Sequence, residues 1–167
     1  MKKQSYLRPA SPSARLPRGT SDQAPPPHTV SHRPAPRDAG FATGERDGRL
    51  VVAFPLPVTP ALLARGRERF DIYCAVCHGR DGYGAGIVVQ RGFPAPPSYH
   101  DARLRRAPAG YFFQVITRGF GAMYSYADRV APADRWAIAA YIRALQLSQH
   151  AGLRDLTAAD RARLPAP

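Results

Sequence analysis

The stretch Cys74-Ala75-Val76-Cys77-His78 decides how this chain of 167 residues is interpreted. Two thiols three positions apart, followed at once by a histidine, form the pattern of a c-type haem attachment site. Each thiol can bond to one vinyl group of the same haem, and the adjacent imidazole can then bind the iron from one side. The motif contains both cysteines of the protein, so the sequence predicts one covalently bound haem c at Cys74, Cys77 and His78.

Three other kinds of site use the same cysteine spacing: a structural disulfide, a redox-active pair and one half of a zinc site. A zinc site needs two further soft ligands, and the chain has no other cysteine. A thioredoxin-like pair is expected next to a βαβ pattern, which this sequence lacks. These observations favour haem over the three alternatives.

Met123 is the second candidate ligand. The only other methionine is Met1, and Met123 lies on a predicted loop after a short helix. A thioether there would complete the coordination of an iron held by His78, raise its reduction potential and favour electron transfer over oxygen chemistry. Two alternatives stay open. In the first, Met123 is a core residue that fills a gap. In the second, His100 is the ligand, although His100 is expected to face solvent or a propionate.

A glycine-rich loop, residues 79–92, and the stiff run Phe93-Pro94-Ala95-Pro96-Pro97 separate the two candidate ligands. Glycines let the backbone approach a flat ligand closely, although the loop can also simply be flexible. A carbonyl of the stiff run, with Pro96 as the candidate, is expected to accept the Nδ1 proton of His78 and to fix its orientation.

The first strong helix is expected to begin at Thr59, an N-cap residue followed by Pro60. Glycine costs about 1 kcal/mol relative to alanine in a helix, so Gly66 predicts a close crossing by another helix. The small residues Ala139 and Ala140 are the expected contact. The apolar stripe of the first helix is predicted to comprise Leu63, Gly66, Phe70 and Tyr73.

Two further helices are expected. A short one starts at Pro108 and ends before Gly119, with a predicted buried face of Tyr111, Phe112, Val115 and Ile116. A longer one runs from Pro132 to about Leu147, with a predicted buried stripe of Trp136, Ala140, Tyr141 and Leu145.

Residues 1–58 have the composition of an extended arm. Eleven of the 18 prolines lie in the first 60 residues, and proline removes backbone donors and is excluded from helix interiors. This segment is either a disordered tail or an arm that becomes ordered against a partner, with residues 50–54 as an extended piece on the domain. We therefore divide the chain into the arm, a helical domain of residues 59–150, and a tail of residues 151–167 with a possible short helix that begins at Thr157.

The formal net charge is +12. Almost all of the basic residues are arginines, because Lys2 and Lys3 are the only lysines. Such a surface suits an acidic protein partner or anionic lipid, or reflects a compositional bias. The sequence contains no cluster of arginines interleaved with stacking aromatic residues, so it does not favour a nucleic-acid partner. Met1-Lys2-Lys3 looks like the start of a signal peptide, but no apolar segment follows. Because c-type haem is attached outside the bacterial cytoplasm, we expect an exported chain whose sequence begins at the mature end or whose true start lies upstream.

The order of these features resembles that of a class I cytochrome c. Such domains are all-α and pack an N-terminal helix against a C-terminal helix, with the haem between them. The matching features are Gly66 and Phe70 before the haem motif, then Met123, then Trp136 and Tyr141 on the final helix. The resemblance covers residues 59–148 and implies one-electron transfer, with no catalytic acid, base or nucleophile.

A closer resemblance is to the monohaem cytochrome c subunit of alternative complex III, a bacterial quinol-oxidising membrane complex. The runs that carry it are R-G-F-P-A-P-P-S-Y-H (91–100), F-F-Q-V-I-T-R-G-F-G-A-M-Y-S-Y-A (112–127) and D-R-W-A-I-A-A-Y-I-R-A-L-Q-L-S-Q (134–149). The resemblance implies a peripheral subunit on the periplasmic side of the inner membrane, beside a multihaem cytochrome c subunit. It would pass electrons towards a terminal oxidase or a soluble carrier.

The resemblance also implies residue roles. Cys74 and Cys77 would hold the thioether bonds, with His78 and Met123 as axial ligands. Tyr124 and Tyr126 flank the methionine and would line the haem edge or merely pack, and Arg118 would meet a propionate or solvent. Family members are commonly lipoproteins with an acylated N-terminal cysteine. This sequence has no cysteine before Cys74, so we expect an anchor upstream or attachment through the complex alone.

Three other functions are compatible with the sequence. A free periplasmic electron shuttle would have little use for the long arm. A haem enzyme would need an open iron site, and Met123 would then not bind the iron. An adaptor without haem would give no haem absorbance after maturation.

Overall fold

The structure, a computed structural model, describes residues 38–164 together with residues 7, 12–17, 19, 21 and 26–29. The chain divides into two compact units, residues 1–35 and residues 36–167. In the first unit, the described residues include a turn in which the backbone N–H of Ser13 donates to the carbonyl of Gly19 at 2.9 Å. Most of the predicted arm before residue 38, with Met1-Lys2-Lys3, lies outside the described residues.

The described part of the second unit is mostly helical with one small pair of strands, which confirms the all-α prediction. Strands β1 and β2 are antiparallel, and Glu45 pairs with Leu50. In chain order the elements are α1 (Ala39–Thr43), β1 (Glu45–Arg46), β2 (Arg49–Leu50), α2 (Pro60–Tyr73), α3 (Ala75–His78), α4 (Ala102–Arg106), α5 (Ala109–Arg118), α6 (Pro132–His150), a 3-10 helix (Leu153–Asp155) and α7 (Ala158–Ala162). Among the described residues, no helix combines the length and the apolar character that crossing a membrane requires.

Helix α2 begins as the sequence predicts. The side chain of Thr59 accepts a hydrogen bond from the backbone N–H of Leu62 at 3.1 Å, and Pro60 occupies the first turn. Proline fits there because its missing N–H would have no partner in the helix. The helix ends at Tyr73, directly before the cysteine motif, so the packing of α2 also sets the position of that motif.

The packing of α2 against α6 is the central contact of the fold. A Cβ atom added at Gly66 would lie 2.1 Å from the carbonyl oxygen of Ala137 and 3.0 Å from Cβ of Tyr141, so only glycine fits. The predicted close crossing is confirmed, and the atoms nearest to Gly66 belong to Ala137 and Tyr141 instead of the expected Ala139 and Ala140. Residues 135–140 of α6 are all buried, because this helix is covered on several sides, and small residues therefore do not mark a single face.

Ion pairs fix the two helices at the same end. The guanidinium of Arg65 donates to both carboxylate oxygens of Asp134, at 2.7 and 2.9 Å. The Nε atom of Arg69 lies 3.9 Å from the same carboxylate. This two-bond geometry sets orientation as well as adding attraction.

Residues 38–58, which the sequence analysis assigns to the arm, belong to the second unit. The indole N–H of Trp136 donates to the carbonyl of Phe41 at 2.8 Å, and Gly110 N–H donates to the carbonyl of Val51 at 2.9 Å. The ring of Phe54 meets that of Trp136 edge-on at 6.1 Å. The boundary between the units therefore lies well before residue 58, because four apolar side chains of this segment pack on the core: Phe41, Val51, Phe54 and Leu56.

Helix α5 differs from the prediction in its buried face. Phe113 is fully buried and stacks on Trp136 with ring centroids 4.5 Å apart, although the sequence analysis did not place it in the core. Tyr111 and Val115, predicted as buried, are half-buried because they border a cavity. Near the C-terminus, the predicted cap of the last helix is confirmed, since the side chain of Thr157 accepts from the backbone N–H of Asp160 at 3.1 Å.

A candidate haem-binding site

The cysteine motif forms a tight turn at the end of α2. The backbone N–H groups of Cys77 and His78 both donate to the carbonyl of Cys74, at 3.1 and 2.9 Å. Gly79 ends the short helix α3 with a φ of 73°, a conformation that favours glycine. The turn brings both thiols and the imidazole onto the walls of one cavity, and the two cysteines are free of any disulfide.

The glycine-rich loop packs directly on this turn. Gly84 N–H donates to the carbonyl of His78 at 2.8 Å, and Gly86 N–H donates to that of Cys77 at 3.0 Å. A Cβ atom at Gly86 would lie 2.3 Å from the carbonyl oxygen of Val76, so a side chain cannot be accommodated there. The loop therefore satisfies carbonyls of the motif and holds it rigidly.

Two adjoining cavities lie beside the motif. The larger, about 280 Å³, is bordered by residues of α5 and by Tyr99, and the smaller, about 120 Å³, is bordered by Cys74, Cys77 and Tyr126. Six residues border both: His78, Pro94, Pro96, Ile116, Ala122 and Met123. The two candidate iron ligands thus lie where the cavities meet. Tyr124, also predicted for this environment, borders the smaller cavity with 82% of its surface exposed.

Met123 sits on a short hairpin that follows α5. Phe120 and Met123 exchange two backbone hydrogen bonds, at 2.9 and 3.0 Å. A Cβ atom at Gly119 would lie 2.4 Å from the carbonyl oxygen of Met123, and the φ of Gly119 is 80°. Glycine at this position therefore lets the hairpin fold back on the helix end and presents the thioether to the cavities.

His78 has the properties of a neutral ligand. Burial lowers the pKa of its imidazole to about 4, so a nitrogen lone pair is free to bind a metal at neutral pH. The ring stacks on Tyr99, with centroids 4.6 Å apart and an angle of 15° between the planes. Nδ1 is buried and has no hydrogen-bond partner among the described residues.

The expected hydrogen bond from Nδ1 of His78 to the carbonyl of Pro96 is therefore not formed. That carbonyl instead faces Gly84, where a Cβ atom would approach it to 2.5 Å. Pro96 still borders both cavities, so its predicted place in this environment agrees with the geometry.

Cys74 lacks the character of a reactive or metal-binding thiol. Burial, together with the neighbouring Cys77, raises the pKa of the Cys74 thiol to about 12. Reactive and metal-binding cysteines are thiolates with lowered pKa values, whereas a buried thiol stays protonated. No group of three or more His, Cys, Asp or Glu side chains within the described part of the chain is arranged to hold a metal ion.

Two residues considered in the sequence analysis lie away from the cavities. His100 is only 7% exposed, contrary to the expectation that it faces solvent, and its Nε2 lies 2.7 Å from the carbonyl oxygen of Asp81. Its ring lies between those of Tyr83 and His150, which keeps it from either cavity. Arg118 pairs instead with Glu45, at 3.5 Å.

Sequence reasoning missed three polar residues of the larger cavity. Tyr99, Arg103 and Tyr111 border it, and Nη1 of Arg103 donates to the hydroxyl of Tyr111 at 3.4 Å. Arg103 lies on α4, a helix of five residues that is too short to give a periodic apolar pattern. The only signal in the sequence for these three cavity residues is a basic residue with tyrosines nearby in the chain.

The residues present fit a haem. The paired cavities have mostly apolar walls, two thiols stand at the wall of one, and an imidazole and a thioether border both. This donor set, a neutral histidine with a methionine, is the one that holds iron in electron-transfer cytochromes. Glycines at positions 84, 86 and 119 let the backbone pack closely beside the cavities, because a Cβ atom at each would lie 2.5, 2.3 or 2.4 Å from a backbone carbonyl oxygen.

The comparison with protein families agrees with this fit. Residues 61–142 match the model of the family described as cytochrome c oxidase, cbb3-type, subunit III. One solved chain that the protein resembles comes from the reducing HAO-like protein complex of Kuenenia stuttgartiensis, with 23% identity and a TM-score of 0.49. The match covers 64% of this chain and 53%, about half, of that chain. No curated protein matches the chain.

The family match falls on the segment that contains α2, the cysteine motif, the Met123 hairpin and most of α6. The helical fold of this segment agrees with that of class I cytochromes c, in which the terminal helices pack beside a haem. Residues 61–142 therefore match a cytochrome c family and have the fold of a class I cytochrome c domain, the kind of domain that carries electrons with haem c.

Proposed function

We propose that this chain transfers single electrons through one haem c, joined to Cys74 and Cys77 and held by His78 and Met123 as axial ligands. The observation that carries the proposal is that His78 and Met123 both border the two adjoining cavities, while the two thiols stand at the wall of one. Bound haem supplies a one-electron iron couple, and histidine with methionine favours its reduced form.

The residues of the chain have separable roles in this proposal. Burial keeps His78 neutral and able to bind. The hairpin of residues 120–123 presents the Met123 thioether, and the apolar walls exclude water. With both axial positions taken by side chains, the site suits electron transfer and needs no acid, base or nucleophile.

We further propose that the chain works as a peripheral subunit of a quinol-oxidising respiratory complex of the alternative complex III type. Support comes from the sequence runs 91–100, 112–127 and 134–149, which resemble the monohaem subunit of that complex. Its partners would be a multihaem cytochrome c subunit and, as acceptor, a terminal oxidase or a soluble carrier. Phe120 and Tyr124, 64% and 82% exposed, offer a contact surface for them beside the proposed haem.

This proposal places the chain on the periplasmic side of the inner membrane, since c-type haem is attached outside the cytoplasm. The membrane association would come through the other subunits or through an N-terminal lipid anchor. The net charge of +12 suits an acidic protein partner more than nucleic acid.

The first test is production of the chain with haem-maturation machinery. We expect a haem signal that survives denaturing electrophoresis, and a low-spin reduced spectrum. Replacement of Cys74 and Cys77 by serine should abolish the covalent signal. A wild-type chain that acquires no haem under these conditions would refute the proposal in favour of an adaptor.

The assembly is tested separately by haem-stained blue-native electrophoresis of native membranes. Migration with a large membrane complex that contains a multihaem subunit would support the subunit proposal. Recovery only as a small haem protein would instead make the chain a free periplasmic electron shuttle.

A further inference from the structure

Arg135 on α6 is a buried arginine without an acidic partner. Only 6% of its surface is exposed, and no ion pair among the described residues involves it. Burial lowers the pKa of its guanidinium, yet arginine remains charged in proteins. A buried, unpaired charge is costly unless its hydrogen bonds compensate, so the contacts of Arg135 are informative.

Those contacts join the two ends of one loop. The Nε atom of Arg135 donates to the carbonyl of Val130 at 2.9 Å, and Nη1 donates to the hydroxyl of Thr117 at 2.7 Å. Thr117 lies in the last turn of α5, and Val130 lies just before α6 begins. The connection between these two helices carries Met123, so a single side chain closes the loop that presents the thioether.

Residues inside the loop form hydrogen bonds with Thr117 and Val130, the two residues that Arg135 contacts. The hydroxyl of Ser125 donates to the carbonyl of Thr117 at 2.6 Å, and the backbone N–H of Val130 donates to the carbonyl of Tyr126 at 2.9 Å. Ser125 is two positions after Met123, and Tyr126 borders the smaller cavity. Movement at Thr117 or Val130 would therefore be transmitted to the segment around the methionine.

The guanidinium is itself held in place. Its central carbon lies 5.1 Å from the centre of the Phe113 ring, a distance at which the cation and the ring attract each other. Thr117 is oriented by a further bond, since its hydroxyl donates to the carbonyl of Phe113 at 2.6 Å. Arg135 thus connects the rigid core of α5 and α6 to the loop.

We infer that Arg135 is a positioning residue that keeps Met123 at the iron by joining Thr117 to Val130 across the base of its loop. This inference rests on the proposed ligation by Met123. A loop without this link should let the thioether leave more readily, so an external ligand would compete with it more successfully.

Arg143 provides a matched control. It lies on the same helix, also has no carboxylate partner among the described residues, and also stands over a ring, with its central carbon 4.9 Å from the centre of Phe112. Its hydrogen bonds go to Gln146 and to the carbonyls of Leu104, Arg105 and Ala107. None of these groups belongs to the loop that carries Met123.

The experiment compares Arg135→Met and Arg143→Met in the holoprotein. Imidazole affinity of the ferric protein is measured by titration, the ferric methionine–iron charge-transfer band is recorded, and global stability is measured by urea unfolding. We expect Arg135→Met to raise imidazole affinity by about tenfold, about 1.4 kcal/mol, beyond the change in Arg143→Met. Equal affinities in the two variants would overturn the inference.

A second pair of variants keeps the test decisive if Arg135→Met does not fold. Thr117→Val removes the hydroxyl that Arg135 holds, and Thr117→Ser retains it. The valine variant should raise imidazole affinity while the serine variant stays near wild type, and equal behaviour of the two would contradict the inference. A wild-type protein without the ferric methionine–iron band would refute the ligation by Met123 itself, which is a separate failure.

Discussion

At the scale of single residues, the site depends on side chains that can act only in their neutral state. Burial lowers the pKa of His78 and raises that of Cys74, so the structure offers a free imidazole and a protonated thiol. The first can bind a metal, and the second is inert towards redox exchange because it is protonated. Burial thus leaves both side chains in the neutral forms that suit the binding of a prosthetic group.

Replacement of Met123 by alanine should keep the covalent haem and lower the reduction potential. The thioether favours ferrous iron, and axial ligands span about 0.8 V in such proteins, so we expect a fall on the order of 0.1 V. The measurement is a spectroelectrochemical titration. Val52→Ala is the control, because that side chain is 79% exposed, borders neither cavity and should leave the potential nearly unchanged. An unchanged reduction potential in Met123→Ala would show that Met123 is not a ligand of the iron.

Replacement of His78 by alanine should prevent stable holoprotein. His78 borders both cavities and is the candidate ligand on the cysteine side, so its loss leaves the iron without its proximal base. Yield and low-spin absorbance are measured after co-production with maturation machinery. His100→Ala is the matched control, since that histidine borders neither cavity. A normal spectrum from His78→Ala would contradict the assignment.

At the scale of elements, the position of the motif follows from the crossing of α2 and α6. Gly66 allows the two backbones to touch, and Arg65 pairs with Asp134 at the same end of the contact. Because α2 ends one residue before Cys74, a shift of α2 along α6 would move both thiols relative to Met123. The helix contact is thus part of the architecture of the site.

Gly66→Ala tests this contact. Alanine should stabilise an isolated helix by about 1 kcal/mol relative to glycine. Here its Cβ would meet the carbonyl oxygen of Ala137 at 2.1 Å, so the helices must separate. We expect a net loss of about 1–3 kcal/mol, the usual cost of overpacking. Urea unfolding measures the change, and exposed Arg67→Ala on the same helix should alter stability little. A more stable Gly66→Ala protein would show that the close contact is not maintained.

The sequence predicted those elements that carry their own local signals. Helix α2 has a cap and a stripe, and the cysteine motif with Met123 predicted where the cavities lie. Helix α4 has five residues and the hairpin strands have two each, too few for any period to be detected. Tyr99 and Arg103 were missed because their place at the cavity depends on tertiary packing. Residues 50–54 were expected to lie on the domain, but the contact of Phe41 was missed because residues 38–49 have no apolar period.

At the scale of the whole molecule, the early part of the chain contributes to the core. A chain that starts at residue 58 loses Phe41, Val51 and Phe54, and leaves the indole N–H of Trp136 without its acceptor. Burying one such apolar side chain is worth about 1.5–3 kcal/mol, so we expect a loss of about 3 kcal/mol or more. A chain that starts at residue 36 retains these contacts and serves as the control. Thermal unfolding of the two truncated chains measures the difference, and equal melting temperatures would contradict this role.

The same pair of truncations separates folding from assembly. The chain divides between residues 35 and 36 into two compact units, so removal of the first should leave haem incorporation and the reduction potential as in the full chain. If residues 1–35 dock on partner subunits, one of the two roles that their composition allows, the chain that starts at residue 36 should no longer migrate with a large complex in haem-stained blue-native electrophoresis. The full chain, produced in the same cells, is the control. Continued co-migration of the shortened chain would mean that the cytochrome domain makes the binding contacts itself, and Phe120 and Tyr124 would then be the first residues to replace. A full chain that never co-migrates would instead favour the free shuttle, because a soluble carrier needs no stable partner.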